Sequence, residues 1–325
     1  MSKTIKFIDL CSGIGAGRLG LEMAGMKCVA HSEIDDCANN TYVRFFNDNN
    51  NLGDLTKIEP AKLPDVDVLI AGFPCQTFSI VGQRKGFADI RGQIIYHIAN
   101  MLKVKKIPYF ILENVKGLVN HDGGRTLQTI LDLLDSVGYA VNFKVLNSSY
   151  FGIPQIRERV YFVGIRKDLY TKPYFFPSPS ARQSTDIKKY LLSENKNELD
   201  VNDTTFQRYL NNKYNVGRID INEILATDFN VLDTRQSDLR VYKNICPTLR
   251  TGRHGLLYTR NKKLIRLSGA ESLLIQGFPK DFIERVAEIP ESKILAQTGN
   301  AMTVNVISAI GKTIMEYVNG SDSDD

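Results

Sequence analysis

Cysteine is scarce in this chain, with five in 325 residues, at Cys11, Cys28, Cys37, Cys75 and Cys246. The number is odd, the spacings are long and no Cys-x-x-Cys pair occurs. That excludes a disulfide framework and a cysteine-rich zinc site. A reducing compartment, the cytoplasm, is therefore the expected home, and no metal is expected. Long apolar runs are also lacking, since none approaches the ~20 residues of a membrane span. The first residues lead almost directly into a strand-like segment, without a charged-then-apolar leader, so neither secretion nor a membrane partner is expected. No internal repeat is visible. Acidic residues nearly vanish between Arg235 and Arg266, where Asp238 stands alone among Arg235, Arg240, Lys243, Arg250, Arg253, Arg260, Lys262, Lys263 and Arg266.

What is present is ordinary in bulk, with 43% hydrophobic and 24% charged residues and a net charge of +5. Such a chain suits a globular protein of one large or two unequal domains. The first half alternates strand-like segments at 6–10, 28–32, 66–71, 109–112, 139–146 and 160–165 with helix-like ones at 19–24, 36–46, 93–104 and 126–137. Alternation of this kind predicts an α/β fold, a mostly parallel sheet with helices on both faces. Pro173, Pro177 and Pro179 punctuate the chain like a linker. From about 185 to 267 the rhythm is lost, and a smaller, loop-rich domain is expected there. Its basic run, broken by Gly252, Gly255, Tyr242 and Tyr258, is built as nucleic-acid-reading loops tend to be. A helical pattern returns at 301–317 with Asn300 as its expected N-cap. The last residues, from Asn319, form a polar acidic tail.

Six segments carry candidate chemistry. Asp9, Gly13, Gly15 and Gly17 follow the first strand, where glycines let the backbone turn tightly beside a ligand. Glu33 ends the second strand, placed to accept hydrogen bonds from ribose hydroxyls, and together they favour an adenosine-containing cofactor. Asp54 offers a carboxylate to an adenine amino group. Cys75 follows Gly72-Phe73-Pro74 just beyond a buried strand, where open α/β sheets put their ligands, on a turn that Pro74 stiffens. Glu113-Asn114 ends another strand, and a partly desolvated carboxyl group there is suited to donating a proton. In Gln155-Ile156-Arg157-Glu158-Arg159 the alternation of a strand predicts that Arg157 and Arg159 project to one side, fit to grip a carbonyl oxygen, a phosphate or a carboxylate.

In order and spacing these segments resemble the cytosine-C5 DNA methyltransferase family of bacterial restriction-modification systems. The likeness continues through Pro247-Thr248-Leu249, through Arg266 to Glu271 with Gln276 to Pro279, and ends in Gln297-Thr298-Gly299-Asn300. It implies a Rossmann-like, S-adenosylmethionine-dependent methyltransferase sheet. The expected division is 1–184 catalytic and cofactor-binding, 185–267 target-recognition and 268–325 returning to the catalytic domain. Carried over by residue, the resemblance implies that a cytosine is flipped out of duplex DNA, that Cys75 attacks its C6, and that Glu113 holds and protonates the N3 side. Arg159 would bond O2, with Arg157 supporting the same site, and Asn114 would position the strand end. S-adenosyl-L-methionine, leaving as S-adenosyl-L-homocysteine, would be held by Asp9, Gly13, Gly15, Glu33, Ile34, Asp54, Leu55, Asn300 and Ala301.

DNA contacts are expected from Ser79, Arg84, Lys85 and Arg91 on a catalytic lid, and from Arg235, Gln236, Arg240, Thr248, Arg250 and Arg253 in the recognition domain. Arg235, Gln236 or Ser237 is expected to fill the space left by the base. A monomer is expected. The chain departs from its relatives at Cys11, Gly17 and Ile34, where they often carry aromatics, and at Val81, where some carry a polar residue. The alternatives are a tRNA cytosine-5 methyltransferase, a regulator without catalysis, and a nicotinamide oxidoreductase that would leave Cys75 unexplained. No Pro-Pro-Tyr or Pro-Pro-Phe site of the amino-methylating DNA enzymes is present.

Overall fold

The strand-helix alternation read from the first half is present in the chain's computed structural model, which describes residues 4–74, 94–179, 186–234, 237–252 and 255–320. The described residues belong to two compact units. One comprises Met1–Asn147, Glu158–Ser178 and Met302–Asp325, and the other Ser148–Arg157 and Pro179–Ala301. This division differs from 1–184, 185–267 and 268–325 in that 148–157 and 268–301 cluster with the smaller unit. Gln155 explains part of the difference, because its side chain bonds Ile275 O, the Gln276 side chain and Leu249 N within that unit.

The first unit is built on β1 (Lys6–Leu10), β2 (Lys27–Ser32), β3 (Val68–Gly72), β4 (Tyr109–Val115) and β5 (Tyr139–Asn147). After the two-residue β6 (Gln155–Ile156), which lies in the other unit, β7 (Glu158–Arg166) completes its sheet. The order is β2-β1-β3-β4-β7-β5. β1 to β4 are mutually parallel, and β7 runs antiparallel to β4 and β5. β3 and β4 are buried at nearly every position, as central strands covered on both faces must be. Ile8, Leu69, Phe110, Leu112 and Phe162 share a core with Ile98 and Leu102 of the helix Ile94–Lys105, and with Ile130 and Leu134 of the helix Arg125–Ser136. The helix Asp36–Phe46 starts where Asp35 Oδ1 accepts the Ala38 N–H at 2.9 Å, an aspartate N-cap. Parallel strands end on one edge, and antiparallel β7 begins there, with Val115 in register with Arg159.

The second unit contains more regular structure than the loop-rich domain expected. β8 (Glu198–Leu199), β9 (Asn230–Asp233), β10 (Arg240–Lys243), β12 (Leu256–Arg260) and β13 (Lys263–Arg266) form an antiparallel sheet in the order β10-β9-β12-β13-β8. β11 (Cys246–Pro247) pairs in parallel with β6. These strands are too short for a period of two to stand out among polar neighbours. They still alternate: Leu256 and Tyr258 enter one core and Leu257 another.

The expected N-cap at Asn300 is corrected. Asn300 is the last residue of the helix Glu291–Asn300, and the helix Val304–Asn319 starts after Thr303. Ala301 is extended (ψ 147°), and its carbonyl oxygen accepts from the Arg157 and Gln276 side chains, which draws the chain off the helical path.

Candidate active site

At the carboxyl edge of the first unit's sheet, β3 runs through Phe73 and Pro74 to Cys75, which itself lies outside the described residues. Its approach is fixed from β4: Asn114 is buried, and its Nδ2 donates to the Phe73 carbonyl at 2.9 Å. The Asn114 Oδ1 in turn accepts the Val115 N–H at 2.8 Å. Glu113, facing Gly72 across the strand pair, is 8% exposed and carries a carboxylate 3.2 Å from Arg159 Nε. Arg159 Nη1 donates to Glu158 O, which braces the guanidinium. A carboxylate and a guanidinium this close, both mostly screened from water, make a donor-acceptor pair able to hold a flat amide-like edge.

Arg157, the expected companion of Arg159, makes its contacts within the second unit. The alternation read through 155–159 does not run, because β6 ends at Ile156 and β7 begins at Glu158. Arg157, between them, is 2% exposed in the second unit, and its Nη1 and Nη2 donate to the carbonyls of Leu249, Gly299 and Ala301.

The glycine turn is also as the residue types require. Gly15 (φ 82°) is the left-handed cap of the helix Ala16–Met23, and a Cβ there would lie 2.3 Å from Phe46 Cε2. Around Gly13 a Cβ would meet nothing within 4 Å, which leaves a cradle open beside the turn. Glu33 binds the turn to the end of β2: Oε2 accepts the Gly13 N–H and Oε1 those of Ile34 and Asp35, each at 2.8 Å. Ile34 beside it is 72% exposed, an apolar surface next to a carboxylate. Asp54 caps the short turn Leu55–Lys57, accepting from Thr56 N and Oγ1, and these bonds hold its carboxyl below the usual range. Leu55 is buried.

Asp9 is fully buried, with Oδ2 accepting the Arg18 N–H at 3.0 Å. Burial pushes its carboxyl well above the usual carboxylate range. Asp9 Oδ1 and Ser12 Oγ are buried without a hydrogen-bond partner. Cys11, left-handed at φ 51°, has its thiol pushed up to about 12 by burial, with Glu33 and Asp9 adding to the effect. The open cradle, the two unsatisfied polar atoms and the exposed Ile34 fit a nucleoside-bearing ligand with polar and apolar parts.

Asn51 is a residue the sequence reading missed. Its Oδ1 accepts from Glu33 N and Gly53 N while its Nδ2 donates to Glu33 O, so it sews the Gly53-Asp54 loop to the end of β2. The signal was the asparagine-rich run just before Gly53. Asn300 and Ala301 lie in the second unit.

Among the expected DNA contacts, Arg240 is exposed on β10 and bonds Asp238 at 3.0 Å, and Arg250 is exposed. Thr248 is turned inward, because its hydroxyl donates to Ile156 O at 2.6 Å. Ser79, Arg84, Lys85, Arg91, Val81, Arg235, Gln236 and Arg253 lie outside the described residues. Among the described residues no helix is long and apolar enough to cross a membrane, and no cluster of three or more His, Cys, Asp or Glu could hold a metal ion.

Comparison with known proteins gives this geometry its context. The family model for C-5 cytosine-specific DNA methylases matches residues 5–316. The type II methyltransferase M.NgoBI of Neisseria gonorrhoeae is 38% identical over 308 residues, 94% of this chain and 92% of its own. M.HaeII of Haemophilus aegyptius is 38% identical over 319 residues, 98% of this chain and 95% of its own. Among solved structures, the S. pombe Dnmt2 methyltransferase shares the fold at a TM-score of 0.69 and 18% identity, covering 97% of this chain and 99% of that one.

Proposed function

This chain belongs to the C-5 cytosine-specific DNA methylase family, and we propose that it methylates one cytosine of a specific duplex sequence through a covalent bond to Cys75. The Cys75 thiolate attacks C6 of the flipped base, which makes C5 nucleophilic. Glu113 holds and protonates the N3 side as negative charge develops on the ring, and Arg159 donates to O2. The observation that carries this reading is the Glu113–Arg159 pair at 3.2 Å, with Glu113 next on β4 to the Asn114 that fixes the Phe73 carbonyl, two residues before Cys75.

S-adenosyl-L-methionine supplies an electrophilic methyl group for C5. Gly13 and Gly15 let its chain approach the turn, Glu33 orients the ribose, and Ile34 gives the adenine an apolar surface. Asp54 and Leu55 border the ring and Asp9 supports the turn, and Asn300 and Ala301 are assigned to the cofactor by the resemblance of the segment Gln297 to Asn300 to the family. Once C5 is methylated, a base takes its proton and Cys75 leaves by elimination. Serine would not serve, since it is a poor leaving group and weakly nucleophilic without a dedicated base.

The basic second unit reads the duplex, with Arg240 and Arg250 exposed for that work. Ser79, Arg84, Lys85 and Arg91 are assigned to the lid, and Arg235, Gln236 and Arg253 to recognition. The type II names of the relatives support a place in a restriction-modification system. The test is methyl transfer from labelled cofactor to mixed-sequence duplex DNA and, in parallel, to transfer RNA. Label in duplex DNA that maps by bisulfite sequencing to one motif is the expected result. Label in transfer RNA alone, or in neither, would refute the reading.

A further inference from the structure

Arg157 is among the most deeply buried large side chains, at 2% exposure, and main-chain carbonyls hold both of its terminal nitrogens. Its Nη1 donates to Leu249 O at 2.9 Å, and its Nη2 to Ala301 O at 2.7 Å and Gly299 O at 3.3 Å. All these partners lie in the second unit. Gly299 and Ala301 stand at the carboxyl end of the helix Glu291–Asn300, where unpaired carbonyls carry partial negative charge and a cation is stabilised. Leu249 is held at its other end too, because its N–H donates to Gln155 Oε1 at 3.1 Å. Gln155 Nε2 then reaches Gln276 Oε1 at 2.7 Å, and Gln276 Nε2 donates to Ala301 O, the same oxygen that Arg157 uses.

A second, independent feature joins the same two segments. A Cβ on Gly299 would lie 2.3 Å from Thr251 N and 2.4 Å from the Arg250 carbonyl carbon, so the helix end and the loop stem meet backbone to backbone. The residues that follow Leu249, Arg250 and Thr251, are exposed. The stem of the expected recognition loop and the turn bearing Asn300 and Ala301 therefore form one block, with Arg157 as its pin.

We propose that Arg157 is a positioning residue that locks the recognition-loop stem to the 299–301 turn, so that duplex binding and cofactor binding depend on each other. This rests on the reading above, in which the loop meets DNA and Asn300 and Ala301 meet the cofactor. A duplex that seats Arg250 holds Leu249 still, and through Arg157 it holds the carbonyls of Gly299 and Ala301. Lysine keeps the charge but cannot span three carbonyls on two segments with one ammonium nitrogen.

The experiment uses the full-length chain, a duplex carrying the motif mapped for the wild type, and S-adenosylhomocysteine as cofactor probe. In the wild type the duplex is expected to tighten S-adenosylhomocysteine by about fivefold or more. In Arg157→Lys that factor should fall to about one, with KM for duplex raised about 10- to 100-fold, the scale of lost charge-assisted hydrogen bonds. At saturating concentrations of both ligands kcat should stay within a few-fold of wild type. Gly299→Ala, which leaves Arg157 in place but forces the two backbones apart, should uncouple the ligands in the same way, and it carries the test should Arg157→Lys fail to fold. A large fall in kcat with unchanged binding and intact coupling in Arg157→Lys would put Arg157 at the base and overturn the proposal. A wild type that methylates no duplex DNA would instead overturn the functional reading on which it rests.

Discussion

Asn114 offers the sharpest test of how the first unit would aim the nucleophile proposed at Cys75. Its Nδ2 donates to the Phe73 carbonyl at 2.9 Å, and its Oδ1 accepts the Val115 N–H at 2.8 Å, both in a buried setting. Asn114→Asp keeps the shape and the Val115 bond but turns the donor into an acceptor facing a carbonyl oxygen. Asn114→Ala removes both bonds, and the buried Phe73 carbonyl left without its donor costs about 1–3 kcal/mol. If that loss appears as misplacement of the segment leading to Cys75, kcat falls about 10- to 100-fold, at 1.4 kcal/mol per tenfold.

Asn114→Asp should be worse than Asn114→Ala at neutral pH, because it adds repulsion and a buried charge to the lost bond. It should recover in part as pH falls, when a protonated carboxyl can donate to Phe73 again. The assay is single-turnover methyl transfer from pre-bound labelled cofactor, across pH, normalised to wild type. An Asn114→Asp variant as active as wild type at neutral pH, or one less impaired than Asn114→Ala, would refute the positioning argument.

Three further outcomes follow from the structure. Cys75→Ser should bind duplex DNA as wild type does yet form no covalent complex, read by gel shift under native and denaturing conditions; measurable turnover would count against the thiol. Asp9 is buried with its carboxyl pushed up, so the folded state holds a proton that the unfolded chain releases near pH 4. Its contribution to stability is present at low pH and lost as pH rises through the folded value. The melting temperature of Asp9→Asn minus that of the cofactor-free wild type should therefore widen as pH rises from about 4, and a constant difference would refute this. Glu271, buried at the start of the helix Gly269–Gln276, accepts from Ser268 N, Leu192 N, Asn195 Nδ2 and Tyr258 Oη. Glu271→Ala strands several of these donors at about 1–3 kcal/mol each, so early unfolding of the second unit is expected in thermal melts, and an unchanged melt would refute it.

Much of the first unit was legible because its signals are local. The expected strand at 6–10 and helix at 36–46 match β1 and the helix Asp36–Phe46 in extent. Buried parallel strands are apolar runs, and turns at their ends are marked by Gly13, Gly15 and Pro74. The second unit was less legible, since β8 and β11 are two residues each, below any periodicity that can be read. Asn51 was missed because a side-chain amide that bonds three main-chain groups looks, in sequence, like any loop asparagine.

The thiol at Cys75, the carboxyl group at Glu113 and the glycines beside Glu33 stand at strand ends by the order of the chain alone, because a parallel sheet delivers successive carboxyl ends to one edge. The sequence by itself thereby determined the family, the sheet and the types of group the reaction needs. Which groups touch was decided in three dimensions. Arg157 and Arg159 are two residues apart and looked alike, yet Arg159 pairs with Glu113 while Arg157 is held by three carbonyls of the other unit. Their fates separate because the chain leaves one sheet at Ile156 and enters another at Glu158. That break depends on hydrogen-bond partners nearly a hundred residues or more away, which no local pattern encodes.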